Sequence, residues 1–404
     1  MTIFVYSRDL FHLVMKRQLN YSLLIFLLLF AGCKKGNDKD DNGSGTATIA
    51  LNLPDAIFTD LTKVSVGQAS PVIMDRLIAL IDATPANATI HLSIFGFDHS
   101  GVINALKKAS ERGVILHIMI DMSVEDTKAQ NPPTISTIRG FIKAGSEVVV
   151  VTNDVNTSSI NHNKFVLFSE LNTDKGKVSN VVFQTSHNFT VDDSKKIQDA
   201  VTMSHEGLYN AYVTYWNDIK AKASSGMKDF YYKEYVNDAD GITAFFFPKR
   251  RNGISYGDDT IIEILNNITE PSTATVRVGM SDWVVSRINV ANKLSELVTA
   301  GAKVEVVVKN KIDDEVQAVL RDMQSRGAFV KIYDISRTNI HSKFLLIEGK
   351  YKGQQCTIVA TGSHNYTTNA LRNNNETLLM LKNSSLYAKY ISYYNEMKKL
   401  PGIN

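Results

Sequence analysis

The sequence predicts an α/β protein made of two tandem sandwich repeats with pseudo-twofold symmetry, each a mixed sheet flanked by helices. Two observations predict it. Short, nearly continuous apolar runs alternate with amphipathic helical stretches, the pattern of strands buried on both faces. The second half of the chain also repeats the order of the first at an almost constant offset.

In the first half, "AIFTD" (56–60) reads as a strand. An amphipathic helix, a Pro-containing loop and an apolar strand follow within 72–97. Residues 100–113 read as a helix, with strands in "VILHIMID" (114–121) and "EVVVVT" (147–152). The second half answers with "AFFFPK" (244–249), a helix, loop and strand over 259–280, and a helix over 288–301. Strands "KVEVVVKN" (303–310) and "FVKIYDI" (329–335) come next. Each half closes on a tyrosine-rich helical stripe, "LYNAYVTYWNDI" (208–219) and "LYAKYISYYNEM" (386–397), 178 residues apart. Tyrosines at that spacing suit helices packed on a core better than a ligand site. The repeats are assigned to 49–235 and 236–404, joined near 222–242.

Ahead of them lies a targeting segment. Met15-Lys16-Arg17 opens a basic stretch, and "LLIFLLLFAGC" supplies a short apolar core ending in small residues at Cys33. The apolar run is short for a transmembrane helix of about 20 residues. "FAGC" resembles a bacterial lipobox, with Phe30 where leucine is more usual. Residues 1–33, best read as starting at Met15, are therefore assigned to a lipoprotein signal, with lipidation of Cys33 implied. Residues 34–48 are polar, charged and Gly-rich, a flexible tether. The location expected is the bacterial cell envelope, anchored by lipid in the outer membrane. Only Cys356 remains as a second cysteine, so no disulfide is expected.

The chemistry-bearing residues also occur twice. "NHNKFVLF" (161–168) sets His162 and Lys164 two residues apart at the head of an apolar run. On a strand they share a face, and buried lysine is rare unless paired. "NIHSKFLLIEG" (339–349) repeats the pair as His341 and Lys343, 179 residues on. "VVFQTSHNFT" (181–190) and "TIVATGSHNYT" (357–367) place Ser186 with Asn188, and Ser363 with Asn365, 177 residues apart. An acid follows each at the same offset, Asp199 and Glu376. Independent decoration of two core strands would not reproduce this order.

The doubled H-x-K and S-x-N patterns resemble the phospholipase D superfamily from about residue 50 to the C-terminus. The resemblance implies a phosphodiesterase. One imidazole attacks phosphorus and another protonates the leaving alcohol, both tasks suited to a group titrating near neutrality. Two lysines supply charge to the pentacoordinate transition state. Two facing repeats would bring both pairs onto one phosphate, an arrangement worth several kcal/mol, roughly. The resemblance implies His162 as nucleophile, forming a phosphohistidine, and His341 as general acid and then base. Lys164, Lys343, Asn188 and Asn365 would bind phosphate, supported by Ser186 and Ser363. Asp199 and Glu376 are expected to hold a ring nitrogen of each histidine.

The chain departs from the family pattern in places. The family acid seven residues after the histidine is Ser169 in copy one and Glu348 in copy two. An odd separation on a strand points it to the opposite face, so a structural position is expected. Thr185 replaces the glycine of G-S-x-N, and its Cβ is expected to narrow the phosphate site. His187 and His364 lack carboxylate or cysteine companions at a ligand spacing, so neither metal nor cofactor is expected. His91, His99, His117 and His205 have no matched partner and are read as structural.

For substrate, three readings stay open. A phospholipid headgroup phosphodiesterase, with hydrolysis as its reaction, fits the membrane anchor. A metal-independent endonuclease of the same superfamily needs a basic groove. The charge balance of 44 basic against 41 acidic residues, net +3, and modest basic stretches such as "FPKRR" (247–251) supply little of it. A catalytically inactive surface binding protein is disfavoured by retention of both His-Lys pairs. A monomer is expected.

Overall fold

The computed structural model describes residues 46–152, 159–223 and 230–403. The assigned signal, Cys33 and all but the last three residues of the tether lie outside the described residues. Among the described residues no helix is long and apolar enough to cross a membrane.

The first sheet holds β1 (Asp55–Phe58), β2 (Thr89–Ile94), β3 (Ile115–Asp121), β4 (Glu147–Val151), β5 (Lys164–Thr173), β6 (Gly176–Thr185) and β7 (Asp199–Ser204). Their order across the sheet is β1-β7-β6-β5-β2-β3-β4. Strands β2, β3 and β4 run parallel, and the rest pair antiparallel, so the sheet is mixed.

The second half adds β8 (Lys233–Asn237) and β9 (Ile242–Phe246), then a ribbon of β10 (Arg250–Arg251) and β11 (Ile254–Ser255). It continues with β12 (Thr275–Met280), β13 (Lys303–Lys309), β14 (Phe329–Tyr333), β15 (Lys343–Tyr351), β16 (Gln354–Gly362) and β17 (Thr377–Lys382). The order β14-β13-β12-β15-β16-β17-β9-β8 matches the first sheet strand for strand, with β8 added at one edge. The assigned repeat boundary at 235/236 falls inside β8, which pairs with β9 and so belongs wholly to the second sheet.

Strand alternation divides the core. Phe165 and Leu167 face a central cluster that also takes Phe344 and Leu346 from the second repeat. Val166 and Phe168 face an outer cluster of the first repeat, and Leu345 and Ile347 face an outer cluster of the second. The tyrosine-rich stripes form helices Glu206–Lys222 and Ser384–Lys399. Their Tyr212, Tyr215, Trp216, Tyr390 and Tyr394 fill the central cluster. Each fully buried side chain of this size contributes about 1.5–3 kcal/mol. Both helices start at matched caps: His205 Nδ1 accepts from Leu208 N (3.1 Å) and Asn383 Oδ1 from Leu386 N (2.9 Å). His99 caps helix Ser100–Arg112 in the same way, through Val102 N. His91 and His117 stack on one another from adjacent strands, 4.5 Å between ring centroids. These four histidines are structural.

Candidate active site

The head of each His-x-Lys strand is fastened to the opposite repeat. His162 N donates to Asn375 O (2.9 Å) and Asn375 N to Ile160 O (2.9 Å). The mirror-related lock joins His341 N to Ile197 O (2.9 Å) and Ile197 N to Asn339 O (2.8 Å). Each imidazole therefore sits where the two sheets meet, on backbone supplied by the other half.

His162 is buried, and its Nδ1 lies 3.0 and 2.9 Å from the two carboxylate oxygens of Glu376. A carboxylate only accepts, so Nδ1 carries the proton and Nε2 is left for chemistry. Burial pushes this imidazole below its usual range, while Glu376 works against that push. His341 Nδ1 lies 3.1 Å from Ser186 O and 3.2 Å from Gln198 Oε1, and the Asp193 carboxylate stands 3.7 Å away. Burial, then Lys343, hold His341 well below the ordinary imidazole range.

Lys164 and Lys343 are both buried, and each Nζ donates to the carbonyl of its own histidine, His162 O (2.9 Å) and His341 O. Burial pushes Lys164 down to about 8 and Lys343 to about 7. Each depresses the other repeat's histidine as well as its own, so all four groups share one field. Asn188 Oδ1 accepts from Gly96 N (3.3 Å) and Asn365 Oδ1 from Asp282 N (3.4 Å). Both amides thus commit their oxygens to backbone and leave Nδ2 as the donor side. Ser186 and Ser363 support from behind: their Oγ atoms accept from Asp199 N (3.0 Å) and Thr377 N (3.1 Å).

These last bonds correct the reading of Asp199. Ser186 N donates to Asp199 O, and Ser363 N donates to Thr377 O. Thr185 pairs with Ala200 as Gly362 pairs with Leu378. Asp199 is therefore the counterpart of Thr377, and Gln198 the counterpart of Glu376. The loop after the first S-x-N is one residue shorter than the second, which brought the two acids to equal spacing in the sequence. The Asp199 carboxylate accepts instead from Thr361 Oγ1 and Tyr390 OH (2.7 Å) at the inter-repeat core. Its mirror contact is Thr377 Oγ1 to Gln184 Oε1 (2.7 Å). Aligning the strand "DAVTM" on "TLLML", instead of acid on acid, was the sequence signal that would have found Gln198.

Thr185 takes a role that its glycine counterpart cannot. Its Oγ1 donates to Asp199 O (2.7 Å) and accepts from His187 N (3.0 Å), so the hydroxyl is committed to the backbone behind the site. At Gly362 a Cβ would lie 2.1 Å from Thr377 O, so glycine is required in the second copy. The face argument for the seventh position holds. Ser169 Oγ accepts from Thr89 N (2.8 Å), and Glu348 accepts from Tyr387 OH (3.1 Å), both away from the histidines. His187 Nε2 meets Ser194 Oγ (3.3 Å), while His364 stacks on Phe247 (4.2 Å) and meets Arg287 (3.3 Å).

The two walls of the site differ. On the first, Phe95 stands edge to face with His162 (5.3 Å) and under Lys164 Nζ (5.6 Å). On the second, Ser281 and Asp282 occupy the corresponding turn, with Lys309 Nζ on Asp282 (3.0 Å) and on Ser281 Oγ (3.1 Å). Lys309 and Lys343 hold the Asp282 carboxyl below its usual range against the effect of burial. Phe95, Asp193, Gln198, Asp282 and Lys309 were not singled out in the sequence, because no repeated motif carries them.

Fold and site together define a duplicated α/β protein whose halves meet at a buried cluster of an imidazole and an ammonium from each. The model of the family described as "Cardiolipin synthase, PLD-like domain" matches twice, over residues 77–214 and 264–398, and the chain belongs to that family. No curated protein matches the sequence. Among solved structures, phosphatidylserine synthase of Haemophilus influenzae Rd KW20 is similar with a TM-score of 0.60 at 11% identity, covering 91% of each chain. Polyphosphate kinase of Porphyromonas gingivalis is similar with a TM-score of 0.54 at 14% identity, covering 85% of this chain. The present chain spans about half of that kinase's length, 50%. At these identities the likeness is one of fold.

Proposed function

We propose that the protein is a phospholipase D-type phosphodiesterase that cleaves the headgroup ester of phospholipids through a phosphohistidine. One observation carries the reading: each histidine is held at Nδ1 by acceptors of the opposite repeat, which supports a single site built from both halves. His162 Nε2 attacks phosphorus, and the leaving oxygen departs with its electron pair and takes a proton from His341. Neutral His341 then draws a proton from water, which attacks phosphorus and releases His162. Lys164, Lys343 and the amides of Asn188 and Asn365 bind the non-bridging oxygens throughout.

Three observations favour lipid over nucleic acid. Phe95 gives the site an apolar wall. The Asp282 carboxylate beside Lys343 disfavours a polyanionic strand continuing past the scissile phosphate. The family description and the phosphatidylserine synthase likeness both concern phospholipid chemistry. We extend the proposal to lipidation at Cys33, attachment to the cell envelope and action as a monomer, since one chain supplies both halves of the site.

The test is incubation with phosphatidylcholine vesicles, without and with an added alcohol, and separately with plasmid DNA in chelator. Choline and phosphatidic acid are the expected products. A phosphatidyl-alcohol in the second arm would make the enzyme a transferase. Nicking of the plasmid alone would replace the lipid reading with the nuclease one. No product in any arm would leave the binding-protein reading.

A further inference from the structure

The two histidines are alike in sequence and unlike in support. Gln198 stands at the position that Glu376 fills in the other repeat. Thr59 N donates to Gln198 O (3.2 Å) as Phe247 N donates to Glu376 O (3.0 Å), which fixes the equivalence through the backbone. The amide is locked in one orientation. Its Nε2 donates to Asp193 O (3.3 Å) and its Oε1 accepts from Ser186 Oγ (2.8 Å). The same Oε1 then accepts from His341 Nδ1 (3.2 Å), alongside Ser186 O. With two acceptors on Nδ1, the ring is held as the Nδ1–H tautomer and Nε2 is free.

We propose that Gln198 is a positioning residue that reserves His341 for proton transfer, by holding its ring in one tautomer without placing a full charge directly on it, while Glu376 supports His162 as the nucleophile. This inference rests on the phosphoryl-transfer reading above. A nucleophilic imidazole becomes cationic as its bond to phosphorus forms, and a carboxylate on Nδ1 stabilises that charge. A proton donor must instead give its proton up, and a neutral acceptor binds the imidazolium less tightly.

The four charged groups facing His341 come from three places. Lys343 lies on its own strand and Lys164 on the matching strand of the first repeat. Asp193 and Lys196 lie on the loop after the first S-x-N motif. Asp193 is 3.7 Å from Nδ1 and is itself held by Lys196 Nζ (2.5 Å) and Asn188 N (2.8 Å), so much of its charge is already engaged. Burial, with three ammoniums against one paired carboxylate, keeps the free ring neutral. An arriving phosphodiester anion offsets the lysines and lets His341 load its proton only when substrate is bound.

The experiment compares wild type, Gln198→Glu and Gln198→Ala in the full chain, after matching their thermal unfolding. Histidine Cε1 resonances of the 13C-labelled protein are titrated without substrate. Gln198→Glu is expected to raise the His341 midpoint by about one pH unit or more and to move His162 less. An unmoved His341, or an equal shift of both rings, overturns the proposal, and this readout does not depend on turnover. Turnover of an alkyl and of a p-nitrophenyl phosphodiester gives the second readout. Gln198→Ala is expected to slow the alkyl ester about tenfold more than the aryl ester, whose leaving group needs no proton. Equal slowing of both would mark Gln198 as merely structural. Silence of the wild type on every phosphodiester, with the titration as expected, would sink the functional reading and not the geometry.

Discussion

Glu376 in the second repeat grips the imidazole of His162 in the first through both carboxylate oxygens, at 3.0 and 2.9 Å from Nδ1. The pair is buried and spans the boundary between the halves, so neither repeat alone contains the supported imidazole. Glu376→Gln keeps the shape and removes the charge. Turnover is expected to fall by about two orders of magnitude or more, with the fold intact by circular dichroism. A variant within threefold of wild type would show that the carboxylate only orients the ring.

His162→Ala and Ser169→Ala separate the faces of β5. The first removes the proposed nucleophile and is expected to abolish turnover. The second deletes one hydrogen bond to Thr89 N at a strand position facing away from the site, a cost of about 1 kcal/mol in stability with activity nearly unchanged. Parallel denaturant and activity measurements check both, and comparable loss of activity would refute the face assignment.

Asp199 supplies a contrast with Gln198. Asp199→Ala leaves Tyr390 OH and Thr361 Oγ1 without their shared acceptor in the inter-repeat core. Stability is expected to drop by about 2–4 kcal/mol. The pH dependence of any remaining activity should be that of wild type. A displaced pH profile with unchanged stability would return Asp199 to the active site.

Lys343 and Lys164 stand at about 7 and about 8, against 10.5 for an ordinary lysine. Between those values and 10.5 the folded chain binds fewer protons than the unfolded one, so the contribution of these lysines to stability rises with pH across that window. Anion binding runs the other way, because it needs the charged form. Inorganic phosphate is expected to raise the melting temperature at pH 6 and to lose most of that effect at pH 9. Lys343→Met should shrink the difference and the Lys164→Met, Lys343→Met double variant abolish it, and a phosphate effect independent of pH would show that the lysines stay charged.

Gly362→Ala tests the asymmetry of the two S-x-N turns. The added Cβ meets Thr377 O at 2.1 Å and must push β16 from β17, displacing Ser363 and Asn365. Turnover is expected to fall at least about tenfold with lowered stability, by the cost of overpacking a buried contact. Thr185→Gly in the other copy should gain no activity, since that hydroxyl already serves the backbone. Activity gained there would revive the idea that its Cβ crowds the phosphate.

What the sequence determined by itself was the duplication and the paired motifs that carry the proposed chemistry. Repeated motifs on apolar runs, as in His162-x-Lys164 and His341-x-Lys343, are local in the chain, and strand periodicity fixes which of their side chains share a face. The odd spacing that sent Ser169 and Glu348 to the far face is of this kind. Partners across the interface were decided only by the tertiary structure. Gln198 replaced Asp199 behind His341 because one residue fewer in a loop shifts ladder register without changing the motifs that flank it. Phe95, Asp282 and Lys309 reached the site from strand ends that carry no motif, since proximity there depends on how sheets pair and not on order along the chain.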